Sequence, residues 1–339
     1  MIKFFYILIM AKEKLLKSQL AKDDEFYTLY DDIAAEVSLY KEQLRGKRII
    51  CPCDWDENYD EIIVYKNDLA VAPTSLLDKG GSIKTVDINA TKARYNGNNE
   101  TPKCNFVKFL VSHAENYGIA SISASGYNPK TNEGVKFQDV DYSKYDLVIT
   151  NPPFSLFREF IDTMFAYNVK FLVIGPQNAI TYRETFKFIQ SNEMWLGYHY
   201  HLTGFQLADG TILKKNDSLP RCCCWFTNLD VSYRHDKIIL TEKYNSLKNP
   251  SYYNYNAIDI SKTKDIPYNW DGEMGVPITF LQKYNPEQFK IIGKGVQLEK
   301  TRRFQGDKAT LWIEKNGKPF KAPFERIIIK NKEVKKYEN

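Results

Sequence analysis

Glycine-rich phosphate loops are missing from this chain. Its 17 glycines form neither a P-loop nor a dinucleotide-binding fingerprint, which argues against a nucleotide triphosphatase and a pyridine-nucleotide dehydrogenase. Histidine is scarce, with four in 339 residues, and nothing resembles a Ser-His-Asp set, so triad hydrolysis has no candidate. No apolar run is long enough to cross a bilayer. Met1 to Met10 is apolar apart from Lys3, yet it is too short to span and no small-residue cleavage site follows it. Residues 1–10 are therefore expected to be a non-structural extension, with Met10 as the alternative start. The six cysteines offer no disulfide framework, because Cys222, Cys223 and Cys224 are adjacent and a chain of this length needs none. A reducing cytoplasm is the expected compartment. Those three cysteines with His199 and His201 match no zinc spacing and read as a buried strand, so no metal is expected.

What is present is a globular composition, 43% hydrophobic and 26% charged, sufficient for a full α/β domain plus a smaller one. Aromatic residues make up 14% of the chain. That richness suits base stacking, although AT-rich coding explains it equally well. The net charge of +5 is uneven. From Gln297 to Asn339 there are 12 Lys and Arg against 6 Asp and Glu, a surplus of +6 that leaves the remainder at −1. Basic charge gathered at one end fits phosphate contact, and a solvated tail is the plain alternative.

Apolar strands alternate with amphipathic helices between residues 48 and 191, which predicts an α/β fold. The expected form is Rossmann-like: a mostly parallel sheet with helices on both faces. A first helix is expected from residue 11 up to the Asp23–Thr28 stretch and a second from about Asp31, as N-cap, to Leu44, and Gly46 stops it. Arg48–Cys51 reads as a strand entering Pro52-Cys53-Asp54. Residues 55–103 read as an insertion. Asn105–Tyr117 is an amphipathic helix ended by Gly118, and Phe137–Asp141 reads as a strand ending in acids. Trp195–Leu207 and Arg221–Asn228 read as late antiparallel strands. Beyond about residue 235 the pattern changes to a loop-rich α+β region, with a hairpin expected at Asn316-Gly317. The expected division is thus 11–235 for the catalytic domain and 236–339 for a recognition region.

The most informative segment is Asn151-Pro152-Pro153-Phe154, which ends the apolar strand Asp146–Thr150 and opens a helix. A planar amino group needs two acceptors for its hydrogens and an aromatic face for its plane. The Asn151 side-chain oxygen and the Pro152 carbonyl supply the acceptors, and Phe154 supplies the face. Pro152 and Pro153 lack N–H groups and fix the turn. An ordinary Asn-Pro turn is the plain alternative. A methyl donor such as S-adenosylmethionine would sit at the carboxyl ends of the strands, where Asp54 and Asp141 are the candidate carboxylates for its amine and ribose.

Four stretches carry a resemblance to a known family: Lys22–Thr28, Ile50–Asp54, Asp146–Ser155 and Gly275–Leu281. Over about residues 20 to 330 the chain resembles the EcoRI-type adenine-specific DNA methyltransferases. The resemblance implies that Phe26, Tyr27 and Thr28 line the donor pocket. It makes Cys51, Pro52, Cys53 and Asp54 the first cofactor loop, here without its usual glycines. Asp141 becomes the acid near the cofactor adenine, with Asp139 as competitor. It places Asn151, Pro152, Pro153 and Phe154 at the reacting amine and target recognition at the end of the chain. Double-stranded DNA is then the partner, with a cognate restriction endonuclease as a possible companion, and a monomer is expected. Lys294, Lys300, Arg302, Arg303 and Gln305 are the candidates for DNA contact. Two alternatives remain: the same chemistry on a protein glutamine or an RNA base, and a non-catalytic DNA-binding protein built on the same fold.

Overall fold

The computed structural model describes residues 27–54, 62–66, 104–128, 133–206, 211–214, 223–295, 311–315, 317–322 and 324–334. The N-terminal extension, the first helix, most of the 55–103 insertion, Phe26, Lys300, Arg302, Arg303 and Gln305 lie outside these residues. The described residues fall into two compact units, one drawn from Met1–Ala179 and Gly197–Leu229, the other from Ile180–Leu196 and Asp230–Asn339.

The first unit is built on six strands: β2 (Arg48–Cys51), β3 (Ile62–Lys66), β4 (Ser121–Ala124), β5 (Leu147–Thr150), β6 (Lys170–Pro176) and β9 (Cys223–Thr227). Their order is β3-β4-β2-β5-β6-β9. The four central strands are parallel, and β3 and β9 pair antiparallel at the two sides. Every residue of β5 is buried, as expected of a parallel strand covered on both faces. Helix α2 (Asn105–Tyr117) and helix α3 (Phe157–Ala166) cover opposite faces. Phe106 of α2 meets Trp225, whereas Phe157 of α3 meets Phe226, and consecutive strand residues point to opposite sides. Gly118 ends α2 at a φ of +64°, a conformation that favours glycine.

A smaller antiparallel sheet joins β1 (Tyr27–Thr28), β7 (Gly204–Gln206) and β8 (Ile212–Lys214). Helix α1 (Tyr30–Val37) starts after Leu29, which makes no side-chain cap; Asp31 lies inside its first turn rather than capping it. Asp32 and Glu36 are buried on one face, a turn apart. Glu36 accepts from Tyr198 N and His199 N, both at 2.8 Å, and Asp32 accepts from Thr203 N at 2.9 Å. These carboxylates take the N–H groups that a ladder would have used, so Trp195–Leu207 is not one continuous strand. Phe137–Asp141 also departs from expectation. Phe137–Asp139 forms a 3₁₀ turn, and Asp141 caps the next one by accepting from Ser143 N (3.2 Å) and Ser143 Oγ (2.6 Å).

The second unit carries a four-stranded sheet of β10 (Ala257–Asp259), β11 (Glu273–Pro277), β12 (Phe289–Lys294) and β15 (Arg326–Asn331). Its order is β10-β11-β15-β12, antiparallel except for the first pair. Helix α4 (Arg183–Gln190) belongs here: Gln190 Nε2 donates to the Ile292 carbonyl at 2.6 Å. The expected hairpin forms from β13 (Trp312–Lys315) and β14 (Lys318–Lys321).

Candidate active site

Chain order and sheet order place the site. The chain passes from β2 to β4 on one side and then returns across β2 to β5 on the other, so strand order reverses beside β2 while the strands stay parallel. Ligands of open α/β sheets occupy the crevice at the carboxyl ends there. The segments at that point are Cys51-Pro52-Cys53-Asp54 after β2, Ser125 after β4 and Asn151-Pro152-Pro153-Phe154 after β5.

Hydrogen bonds tie the three ends together. Ser125 N donates to the Cys51 carbonyl and Asp54 N to the Ser125 carbonyl, both at 3.0 Å. Thr150, the last residue of β5, is the link to the Asn151 turn. Its hydroxyl donates to Asp54 Oδ2 at 2.8 Å and accepts from Cys53 N at 3.3 Å. The other Asp54 oxygen accepts from Cys104 Sγ at 2.8 Å. The next residue, Asn105, donates from Nδ2 to the Thr28 carbonyl at 2.8 Å. Adjacent residues at the start of α2 therefore join the Tyr27-Thr28 strand to the Asp54 loop.

Asp54 is 6% exposed, and burial pushes its pKa up to about 6. Both its oxygens are held by neutral donors, a hydroxyl and a thiol, so a cationic ligand group beside it would meet an uncompensated acid. Burial also pushes the thiols of Cys51, Cys53 and Cys104 well up, which leaves them protonated and poor nucleophiles. The hydroxyls Thr28 Oγ1 and Ser125 Oγ are buried without a partner among the described residues. Unmatched hydroxyls and an unneutralised carboxyl fit a polar, positively charged cofactor.

At the turn, Asn151 and Phe154 are half-buried and Pro152 is buried. Phe154–Leu156 makes one 3₁₀ turn, with Leu156 N donating to the Pro153 carbonyl at 3.0 Å, before α3 begins. Gly175 at the end of β6 fixes where α3 lands: a Cβ there would lie 2.3 Å from the Phe157 ring. Asp139 and Asp141 are exposed. The following residue, Tyr142, is buried and donates to the Phe137 carbonyl at 2.9 Å.

One expected site residue is corrected. Lys294 is 5% exposed; its Nζ donates to the Thr181 carbonyl and lies 3.9 Å from Glu325, and burial lowers its pKa. A lysine enclosed within its own unit is not a phosphate contact. The sequence reading missed Thr150, Cys104, Asn105 and Ser125. The hydroxyl residues at the ends of β4 and β5 were the available signal, but nothing in the sequence marked Cys104 as a neighbour of Asp54.

A largely parallel sheet whose switch point brings the Asn151 turn and the Asp54 loop together is the α/β arrangement expected of an amino-methyltransferase. The chain belongs to the EcoRI adenine-specific methyltransferase family, whose model matches residues 14–66 and 140–332. It is similar to the type II methyltransferase M.EcoRI of Escherichia coli, at 37% identity over 354 residues, covering 96% of this chain and 99% of that protein. It is also similar to M.MpnI of Mycoplasma pneumoniae, at 27% over 316 residues, covering 81% of this chain and 84% of that protein. A third relative, M.MgeORF184P of Mycoplasma genitalium, is 29% identical over 345 residues, covering 94% of this chain and 98% of that protein. No solved structure matches the chain significantly. The protein is thus an adenine-specific DNA methyltransferase of the type II class.

Proposed function

We propose that this enzyme moves a methyl group from S-adenosylmethionine to the N6 amino group of adenine within a short sequence of double-stranded DNA, as the modification partner of a restriction endonuclease. The supporting observation is the Thr150 junction, which sets the Asn151 turn and the Asp54 loop side by side at the switch point. When bound, S-adenosylmethionine supplies an electrophilic methyl on a cationic sulfonium.

The chain's own residues do the rest. Asp54 takes the cationic amine of the donor. Tyr27, Thr28 and Cys51 to Cys53 line its pocket, and Asp141, with Asp139 as competitor, reaches toward its nucleoside. Asn151 Oδ1 and the Pro152 carbonyl accept the two hydrogens of the adenine amine, which turns its lone pair toward the methyl. Phe154 stacks on the purine and offsets part of the cost, a few kcal/mol, of extruding the base from the duplex. Asn151 and the Pro152 carbonyl would hold the amine nitrogen toward the donor's methyl, which that nitrogen would take from the sulfonium, and the displaced proton would leave to water. No strong base is required. Holding nitrogen, carbon and sulfur in line is a placement effect of several kcal/mol. Lys300, Arg302, Arg303 and Gln305 remain the proposed DNA contacts in the basic C-terminal stretch.

Purified protein incubated with methyl-labelled S-adenosylmethionine and duplex DNA, RNA or protein tests this reading. Label in duplex DNA as N6-methyladenine is expected. Label only in RNA or protein, or none in any of them, would overturn it.

A further inference from the structure

The β13/β14 ribbon in the second unit has a face that starts in the core and ends in solvent. At its base, Leu311 and Ala322 are buried with Tyr252, Tyr255, Ala257 and Ile328, and Ile313 packs against them. Ile313 pairs with Phe320, and Lys318 follows two residues away on the same face. Phe320 is nevertheless 52% exposed, and Lys318 is exposed beside it. The ribbon therefore runs past the edge of the core it grows from. Phe324, just after it, is 74% exposed. Phe320 and Phe324 thus lie open to solvent in a stretch that also exposes Lys318 and Lys321.

The geometry points to this ribbon as an element that enters the major groove of duplex DNA, with Lys318 on a phosphate and Phe320 against the base edges or a thymine methyl. The inference rests on the proposed action on DNA and adds a contact element to it. The charge agrees: residues 312–321 carry three lysines and one acid, within a C-terminal stretch of surplus +6. The size agrees as well. The two strands lie about 4.8 Å apart, and a ribbon of that width with its side chains fits the major groove, about 12 Å wide, but not the minor groove of about 6 Å. Phosphate contact supplies affinity without sequence preference, whereas an apolar contact to a base edge discriminates, so the two residues have separable effects.

The test uses the full-length enzyme. Methyladenine sequencing of DNA modified by the wild type gives its site. Fluorescence anisotropy then measures binding to a duplex bearing that site and to a scrambled duplex, across a salt series. Lys318→Ala is expected to weaken both about fivefold at roughly 0.15 M salt and to reduce the salt slope by about 0.9. Phe320→Ala is expected to weaken the site-bearing duplex more than the scrambled one. Melting temperature and S-adenosylmethionine affinity should be unchanged in both variants. Wild-type affinity and slope in both variants would overturn the inference. A wild type that binds and methylates no DNA would overturn the proposed function instead.

Discussion

Asp54 gives the account a titration that can be measured. Its carboxyl is buried between the Thr150 hydroxyl and the Cys104 thiol, and its pKa is pushed up to about 6. A cationic amine placed beside it would restore an ordinary carboxylate value. Binding then costs a proton wherever the empty site is protonated. With an unliganded value of about 6 and a liganded value near 3.8, affinity rises roughly tenfold between pH 5 and pH 7 and levels off above. Isothermal titration with S-adenosylmethionine in paired buffers of different ionisation heat should show release of about half a proton at pH 6. Asp54→Asn should bind more weakly and show neither the slope nor the proton. The same shift has a consequence for the ligand-free protein. A carboxyl raised in the folded state contributes stability that is fully present below pH 3.8 and lost as pH rises through about 6. Two units correspond to about 3 kcal/mol, absent from the Asn variant. An unchanged affinity slope in Asp54→Asn, or none in the wild type, would refute the assignment of the donor amine to this residue.

Other consequences are as direct. Gly175→Ala forces a Cβ to within 2.3 Å of the buried Phe157 ring, so urea unfolding should show a loss of about 1–3 kcal/mol and transfer should slow as the Asn151 turn shifts. Glu36→Ala strands the Tyr198 and His199 N–H groups that Glu36 now accepts at 2.8 Å, a loss of about 2–5 kcal/mol by the same assay. His199 donates to Glu36 at 2.7 Å, and that bond raises its pKa above 6.5. Its contribution is complete below pH 6.5 and is lost as pH rises through the raised value. Melting temperature between pH 6 and 8.5 should therefore decline more in the wild type than in His199→Gln. Phe154→Ala should weaken extrusion of the target base more than donor binding, read with 2-aminopurine at the target position.

The sequence showed most clearly those features whose cause is local. A strand running into Asn-Pro-Pro-Phe and a helix needs only an apolar run, two prolines and a 3.6-residue period, and all are present. Gly118 and the hairpin at Gly317 follow from backbone conformation. The misread segments depended on partners far along the chain. Phe137–Asp141 alternates like a strand, but Asp141 bonds its own neighbour Ser143 and closes a turn. Trp195–Leu207 is apolar enough for a strand, but its N–H groups go to Asp32 and Glu36, more than 160 residues earlier. The helix at Arg183–Gln190 falls within the span read as alternating strands and helices, but amphipathicity does not say which sheet it covers. Lys294 carries the charge that suggested DNA, and charge alone does not reveal burial. The Asp54 loop was found, but its partners Cys104 and Thr150 lie 50 and 96 residues away.

The central claim is that Asn151 and the turn it opens hold an adenine amine for methyl transfer. Its most direct measurement is methyladenine sequencing in a host that lacks adenine methylation, expressing either the wild type or Asn151→Ala. The account predicts N6-methyladenine at one short recurring sequence with the wild type and none with the variant, while purified variant still binds that sequence. Methylation retained by Asn151→Ala, or a wild type that leaves the host genome unmodified, would contradict it.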